Sequence, residues 1–232
     1  MNKSLLSASL FALALAAPLV HAHEAGDILV RAGAITVNPK ADSSSVKVDQ
    51  GPLSGTDLGG KATMSSDTQL GLNFAYMLTN NIGIELLAAT PFEHDVKLKG
   101  TALPAANGKL GTLKHLPPTL SVVYYPLDSK SPFQPYVGGG INYTWIYDEH
   151  VGSEASANGF SNFKAKNSWG LAWQVGADYM ITDNIMLNAQ VRYIDIDTRA
   201  TVENNAVAPG TRARVNVDVD PFIYMVGLGY KF

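Results

Sequence analysis

The chain has 232 residues and a formal net charge of −3 at pH 7, with 46% hydrophobic residues, 16% charged residues and no cysteine. That balance offers no basic patch for nucleic acid, and the lack of cysteine removes disulfides, thiolate metal sites and cysteine nucleophiles. The charged fraction lies below the roughly 25% usual in soluble domains, while 21 glycines, 10 tyrosines and 8 phenylalanines suit strands with one face in an apolar medium.

Lys3, the apolar run Leu5 to Ala17 and the small-residue pattern Val20-His21-Ala22 predict a cleaved secretory signal over residues 1–22 and a single mature domain over 23–232. A retained anchor is the alternative, but the run falls short of the roughly 20 residues a spanning helix needs. Eight strands are then predicted from alternating patterns, at about 27–38, 61–79, 82–98, 111–126, 134–148, 165–181, 185–202 and 213–232. In the second, Leu70, Leu72, Phe74, Tyr76 and Leu78 oppose Gln69, Gly71, Asn73 and Ala75; in the sixth, Trp169, Leu171, Trp173 and Val175 oppose Gly170, Ala172, Gln174 and Gly176. The third strand contains Pro91, the fourth Pro117 and Pro118, and the eighth Pro221. Each removes a ladder donor, so the third and fourth strands should pair poorly where they meet.

The connections alternate in length. Thr79 to Asn81, Leu127 to Pro132 and Thr182 to Asn184 are tight, whereas Pro39 to Gly60, Gly100 to Lys109, Glu149 to Lys164 and Glu203 to Arg212 are long and polar. An even number of antiparallel strands with short turns at one end, long loops at the other and small or polar residues on the second face predicts an all-β, eight-stranded transmembrane barrel of the outer-membrane type. Tyr76, Tyr124, Tyr136, Tyr179, Tyr230 and Phe232 are assigned to an interfacial belt. A secreted lipocalin-like barrel is the competing architecture, but it would have to bury the glycine-rich polar face as a dry core.

The blocks QLGLNFAYMLTNNIGIELLAATPFEHDV, LPPTLSVVYYP, FQPYVGGGINYTW, SWGLAWQVGADYM, YIDIDT and VDVDPFIYMVGLGYKF, in this order, resemble the outer membrane protein W (OmpW) family of Gram-negative bacteria. The resemblance covers about 23–232. It implies a barrel with a narrow apolar lumen that passes small hydrophobic molecules and releases them sideways into the lipid. It also implies a constriction between a leucine at the position of Leu87 and an aromatic at the position of Arg192; the arginine departs from that pattern.

Residue phase and depth add detail of their own. Phe222 to Phe232 is long enough to span the bilayer, so above Pro221 Asp220, Asp218 and Asn216 face water or headgroups while Val219, Val217 and Val215 point inward. The neighbouring strand changes in the same way, from inward Asn188, Gln190 and Arg192 to inward Ile194 and Ile196, and the first strand adds Ile35 and Val37 on the face of Arg31. These seven aliphatic residues form a candidate docking surface for a hydrophobic solute, or else a small plug-like core. At membrane depth Leu87 stands beside inward Glu85, and Arg192 requires a partner such as Glu85 or Asp178. The prolines of the third and fourth strands mark either a bulge that bends the barrel or a weak seam; because the resemblance implies a lateral opening in this region, Pro91, Pro117 and Pro118 are the candidates for a lateral gate. Val96 and Leu98 fit the inward phase only if a bulge near Pro91 shifts it.

An acyl-modifying barrel enzyme using His94 is weighed and set aside, since adjacent His94-Asp95 with scattered serines assembles no triad. His94-Asp95 and the loop serines are taken as polar surface groups; His23, His94, His115 and His150 lack metal-ligand spacing, and no cofactor is expected. Asp195, Asp197, Asp218 and Asp220 fit a solvated rim better than an ion site. The expected partners are outer-membrane lipid, lipopolysaccharide and small hydrophobic solutes, with a monomer whose N- and C-termini face the periplasm. A structural or surface-recognition barrel that binds phage, host or lipopolysaccharide through its loops is the second reading.

Overall fold

The computed structural model describes residues 22–232; the predicted leader, apart from Ala22, lies outside the described residues. In chain order the strands are β1 (Ile28–Asn38), β2 (Asp42–Ser43), β3 (Val46–Gln50), β4 (Asp57–Met64), β5 (Asp67–Met77), β6 (Ile82–Ala89), β7 (Phe92–Thr101) and β8 (Gly108–Leu116). They continue as β9 (Thr119–Tyr124), β10 (Phe133–Val151), β11 (Phe160–Ala165), β12 (Ser168–Met180), β13 (Ile185–Ile194), β14 (Asp197–Asn204), β15 (Arg212–Asp218) and β16 (Phe222–Lys231). A short helix, α1 (Ser153–Ala157), follows β10.

A lower barrel closes from eight antiparallel strands in the order β1, β5, β6, β9, β10, β12, β13 and β16, with β16 returning to β1. The side chains are inside out relative to a soluble protein. Outward Leu70, Val122, Trp169 and Val226 are 51%, 56%, 71% and 65% exposed, whereas inward Arg31, Asn73, Glu85 and Asp178 are fully buried. Only an apolar medium makes such a surface stable, because in water the exposed rings and aliphatic chains would favour association. The closure of β1 on β16 depends on glycine: Gly33 faces Gly227 in register, and a Cβ on Gly33 would stand 2.1 Å from the Val226 carbonyl oxygen.

The predicted strands are longer than the membrane requires, and most break at one level. The interruptions fall at 65–66, 90–91, 117–118, 166–167, 195–196 and 219–221, forming a waist; β10 runs through it unbroken, pairing with β9 below and β8 above. Above the waist a second tier of strands runs in the order β10, β8, β7, β4, β3, β15, β14, β11. Its ends approach each other, with Lys164 Nζ 3.3 Å from Glu149 Oε2 and the Ile146 amide donating to Asn167 Oδ1 at 2.8 Å. Segments expected as loops therefore carry strands: β3 lies within the predicted connection 39–60, and β11 lies in 149–164 but for its last residue, Ala165. A run as short as Val46-Lys47-Val48 is a weak signal alone, and it becomes a strand by pairing with β15 and β4.

Below the waist the interior combines buried charged and amide groups with a second apolar cluster around Leu29, Met77, Val123, Tyr125 and Met186; above it the interior is mainly aliphatic and aromatic. Val46, Leu98, Leu110, Phe160, Phe163, Val202, Val215 and Val217 are all buried in one cluster. Inward phase shifts by one residue between Ala89 and Phe92, which turns Val96 and Leu98 inward as a break at Pro91 requires. Tyr136, assigned above to the interfacial belt, is instead 2% exposed and inward; Phe133 and Val137 take the outward positions beside it.

The upper tier is tied at one point by a bidentate pair, in which Arg212 Nε and Nη2 donate to the Asp49 carboxylate at 3.0 and 2.9 Å. Those hydrogen bonds hold the Asp49 carboxyl below its ordinary range. A depressed carboxylate stabilises the fold above its unfolded pKa, near 4, and that stabilisation disappears as pH falls through the folded value. Acidification should therefore lower the hydrogen-exchange protection factors of the Val48 and Ala213 amides, relative to the intrinsic rate at each pH, a few-fold, in keeping with a partly exposed ion pair. Asp49→Asn should show the lower protection already at neutral pH and a flatter pH dependence of the protection factor; an unchanged pH dependence in that variant would reject this origin.

Candidate functional site

The membrane-depth lumen is filled by an ion-pair network. Arg31 Nε donates to Asp178 Oδ1 at 3.0 Å and Arg31 Nη2 to Asp178 Oδ2 at 2.5 Å, with Glu85 Oε2 3.4 Å from Arg31 Nη1. Arg192 Nη2 lies 2.6 Å from Glu85 Oε1 and also bonds Gln174 Oε1. Asn73, Tyr125 and Asn188 satisfy further atoms of the Arg31–Asp178 pair. With Arg31, Glu85 and Asp178 at 0% exposure and Arg192 at 1%, no water-sized path passes between them. Two charges of each sign make the plug neutral, as a low-dielectric site demands.

Of the residues predicted for the constriction, Glu85, Asp178 and Arg192 thus meet in this network. Leu87 does not join it; it is 2% exposed and packs in the apolar cluster above. Arg31 was legible only as a marker of the inward face, although its ion pair with Asp178 is the shortest in the plug. From below, the His23 ring enters the same network, its Nε2 3.1 Å from Asp178 Oδ2 and its edge against Tyr125.

Ile35, Val37, Ile194, Ile196, Val215, Val217 and Val219 all point inward and are between 0% and 7% exposed. They belong to the packed apolar interior, which leaves a cavity of about 210 Å³ at the outer mouth between Leu53, Leu58, Leu103 and Val207. A second, of about 30 Å³, lies near the waist between Val37, Ile196, Val219, His94 and His115. A third concavity, of about 690 Å³, is on the outer wall between Val122, Val137, Trp173 and Val191, where Gly138 and Gly139 carry no side chains.

The wall between the third and fourth staves of the barrel is discontinuous. The β6–β9 ladder ends at Leu87 opposite Thr119, and the β7–β8 ladder resumes at Phe92 opposite His115. Between them 88–91, with Pro91, face 116–118, with Pro117 and Pro118, and no ladder pair joins the two segments. The Pro117 and Pro118 carbonyls instead accept from Asn142 Nδ2, both at 3.1 Å, which fastens this edge to β10 and away from β6.

His94 and His115 are not surface groups. They are 0% and 5% exposed, with their Nε2 atoms 2.8 Å apart and their rings stacked beside Phe92. Burial lowers the pKa of both, that of His115 to about 3, so both are neutral at physiological pH. His94 Nδ1 contacts the Ser65 backbone carbonyl, not a serine hydroxyl, so no nucleophile is paired with it. Among the acids, carboxylate oxygens of Asp195, Asp197 and Asp220 come within 4.8 Å of one another on the exposed rim.

The model of the OmpW family matches residues 24–232. The outer membrane protein W of Vibrio cholerae is 43% identical over 219 residues, covering 94% of each chain. The crystal structure of the outer membrane protein OprG from Pseudomonas aeruginosa superposes with a TM-score of 0.85 at 47% identity, over 92% of this chain and 99% of that one. A more distant relative, the dibenzothiophene metabolism operon protein PahQ of Pseudomonas aeruginosa, is 27% identical over 174 residues, covering 75% of this chain and 76% of its own.

Proposed function

The chain belongs to the OmpW family of outer-membrane barrel proteins, which are not enzymes, and from that premise we propose that it carries small hydrophobic molecules from outside the cell into the membrane, releasing them sideways through the wall. A solute enters at the apolar mouth between Leu53 and Val207, moves along the interior lined by Val215, Val217, Val219, Ile194 and Ile196, and leaves between Pro91 and Pro117-Pro118.

The observation that carries this reading is the blocked floor beneath an apolar interior. A straight pore would force a hydrophobic molecule through buried arginines and carboxylates, stripping their hydrogen bonds at a cost of several kcal/mol. The discontinuous ladder at the level of the floor offers a route with no such cost. The operon name of PahQ, which refers to an apolar sulfur heteroaromatic, is in keeping with cargo of this class. On this reading the mature chain begins at His23, both termini lie in the periplasm, and a monomer meets lipid below the waist and lipopolysaccharide at the level of Asp195 and Asp218.

The test is to restore a missing donor. Pro91→Ala supplies a backbone N–H on the side of the seam, since the neighbouring Thr90 amide donates to Leu70 on the opposite side, and lets the third stave pair with the fourth. Uptake of an apolar dye by cells should fall by about tenfold if pairing the seam costs its opening some 1–1.5 kcal/mol, while gel-shift folding assays remain normal. Full uptake with the seam amides protected from exchange would refute the lateral route.

A further inference from the structure

His94 Nδ1 lies 2.6 Å from the Ser65 carbonyl oxygen, which can only accept, so His94 carries its proton on Nδ1. Its Nε2 is then a lone pair, and the His115 Nε2 at 2.8 Å must be the donor in that contact. This leaves His115 Nδ1 as a bare acceptor. It is buried and finds no hydrogen-bond partner among the described residues. Buried polar atoms normally have partners, and an orphaned acceptor in an apolar interior is costly unless something fills the vacancy.

The surroundings specify what can fill it. His115 lines the cavity of about 30 Å³ at the waist, whose other walls are largely apolar, among them Val37, Ile196 and Val219, and include Thr144 and Thr198, whose hydroxyls already donate to Asn142 Oδ1 and the Lys166 carbonyl. That volume accepts one hydroxyl-sized group. His115 is two residues from Pro117 along the chain and opposite Phe92, the residue after Pro91, so the acceptor stands at the height of the wall discontinuity.

We infer that His115 Nδ1 is a docking point for a single hydrogen-bond donor, and that the chain's preferred cargo is amphiphilic: an alcohol or phenol with an apolar body rather than a bare hydrocarbon. The inference rests on the reading of the interior as a path for hydrophobic solutes and names the cargo class within it. The hydroxyl seats on His115, and the apolar body is left at the level of the seam. The His94–Ser65 contact makes His94 a positioning residue, since it fixes the tautomer that exposes the acceptor.

The experiment uses the full mature chain in lipid nanodiscs with ¹⁵N-labelled histidine. Adding 1-octanol should move the His115 Nδ1 resonance toward that of a hydrogen-bonded nitrogen, and n-octane should leave it in place. A resonance unmoved by octanol, moved equally by octane, or already that of an accepting nitrogen before addition would overturn the proposal. In liposomes, the double variant His94→Phe with His115→Phe keeps two stacked rings and removes both the His115 acceptor and the His94 Nε2 lone pair that His115→Phe alone would bare, so the preference for octanol over octane uptake should fall by about threefold to tenfold. Undiminished preference in that variant also overturns it. Equal uptake of both probes with no nitrogen shift would defeat the docking point while leaving the path intact; a shift at His115 without uptake of either would do the reverse.

Discussion

Asp178→Ala lowers the unfolding free energy of the barrel by about 3–5 kcal/mol, the range for stripping one partner from a buried ion pair. The Asp178 carboxylate accepts from Arg31 Nε and Nη2, from Asn188 Nδ2 at 2.8 Å and from the Tyr125 hydroxyl at 3.3 Å. Its removal leaves the fully buried Arg31 with Asn73, Tyr125 and a 3.4 Å approach to Glu85, which already serves Arg192. Asp178→Asn keeps the shape and part of the hydrogen bonding but loses the charge, and belongs between the two. Urea unfolding in lipid vesicles, followed by tryptophan emission, measures the difference. A loss below about 1 kcal/mol, the scale of an exposed pair, would mean that the plug is hydrated and the lumen is not closed there.

The second large effect is on uptake. Ile196→Asp with Val217→Asp puts two carboxylates into an interior where the native side chains are 3% and 4% exposed. A hydrophobic molecule then has to pass charged groups that hold water, and uptake should fall about tenfold or more. The lower barrel should still assemble, because neither residue lies in its eight strands. Heat-modifiable migration on gels reports assembly, and dye accumulation reports uptake. Normal uptake by the assembled double variant would remove the upper interior from the path.

The barrel was legible in the sequence because its grammar is local. Strict alternation over Gln69–Leu78 and Trp169–Ile181 fixes both faces of a strand without knowledge of its neighbours. The plug was legible in part: Arg192 at membrane depth demanded an acid, and Glu85 is that acid. The Arg31–Asp178 pair was not read, because it joins the first and sixth staves across the lumen and depends on which residues share a height. Aligning the strands by their turns would have placed Arg31 level with Asn73 and Gly229.

The two histidines escaped for a similar reason. His94 and His115 are 21 residues apart, and the phase change at Thr90-Pro91 concealed that His94 faces inward. Metal-ligand spacing was the wrong question to ask of them, since a stacked, hydrogen-bonded pair needs no short-range sequence pattern. The upper tier was hidden because β3 and β11 have five and six residues. Their pairing is decided by partners far along the chain.

The waist divides the molecule by heat capacity as well as by solvent. Above it, unfolding exposes Phe163, Leu98, Val215 and their neighbours to water, and apolar hydration gives a positive heat-capacity increment. Below it, the outer wall is already in lipid, and the buried interior sets the charged network, whose increment has the opposite sign, against the smaller apolar cluster of Leu29, Met77, Val123 and Met186. The temperature curvature of the chain's stability is therefore concentrated in the upper tier, and cold loosens the apolar passage before it affects the membrane barrel.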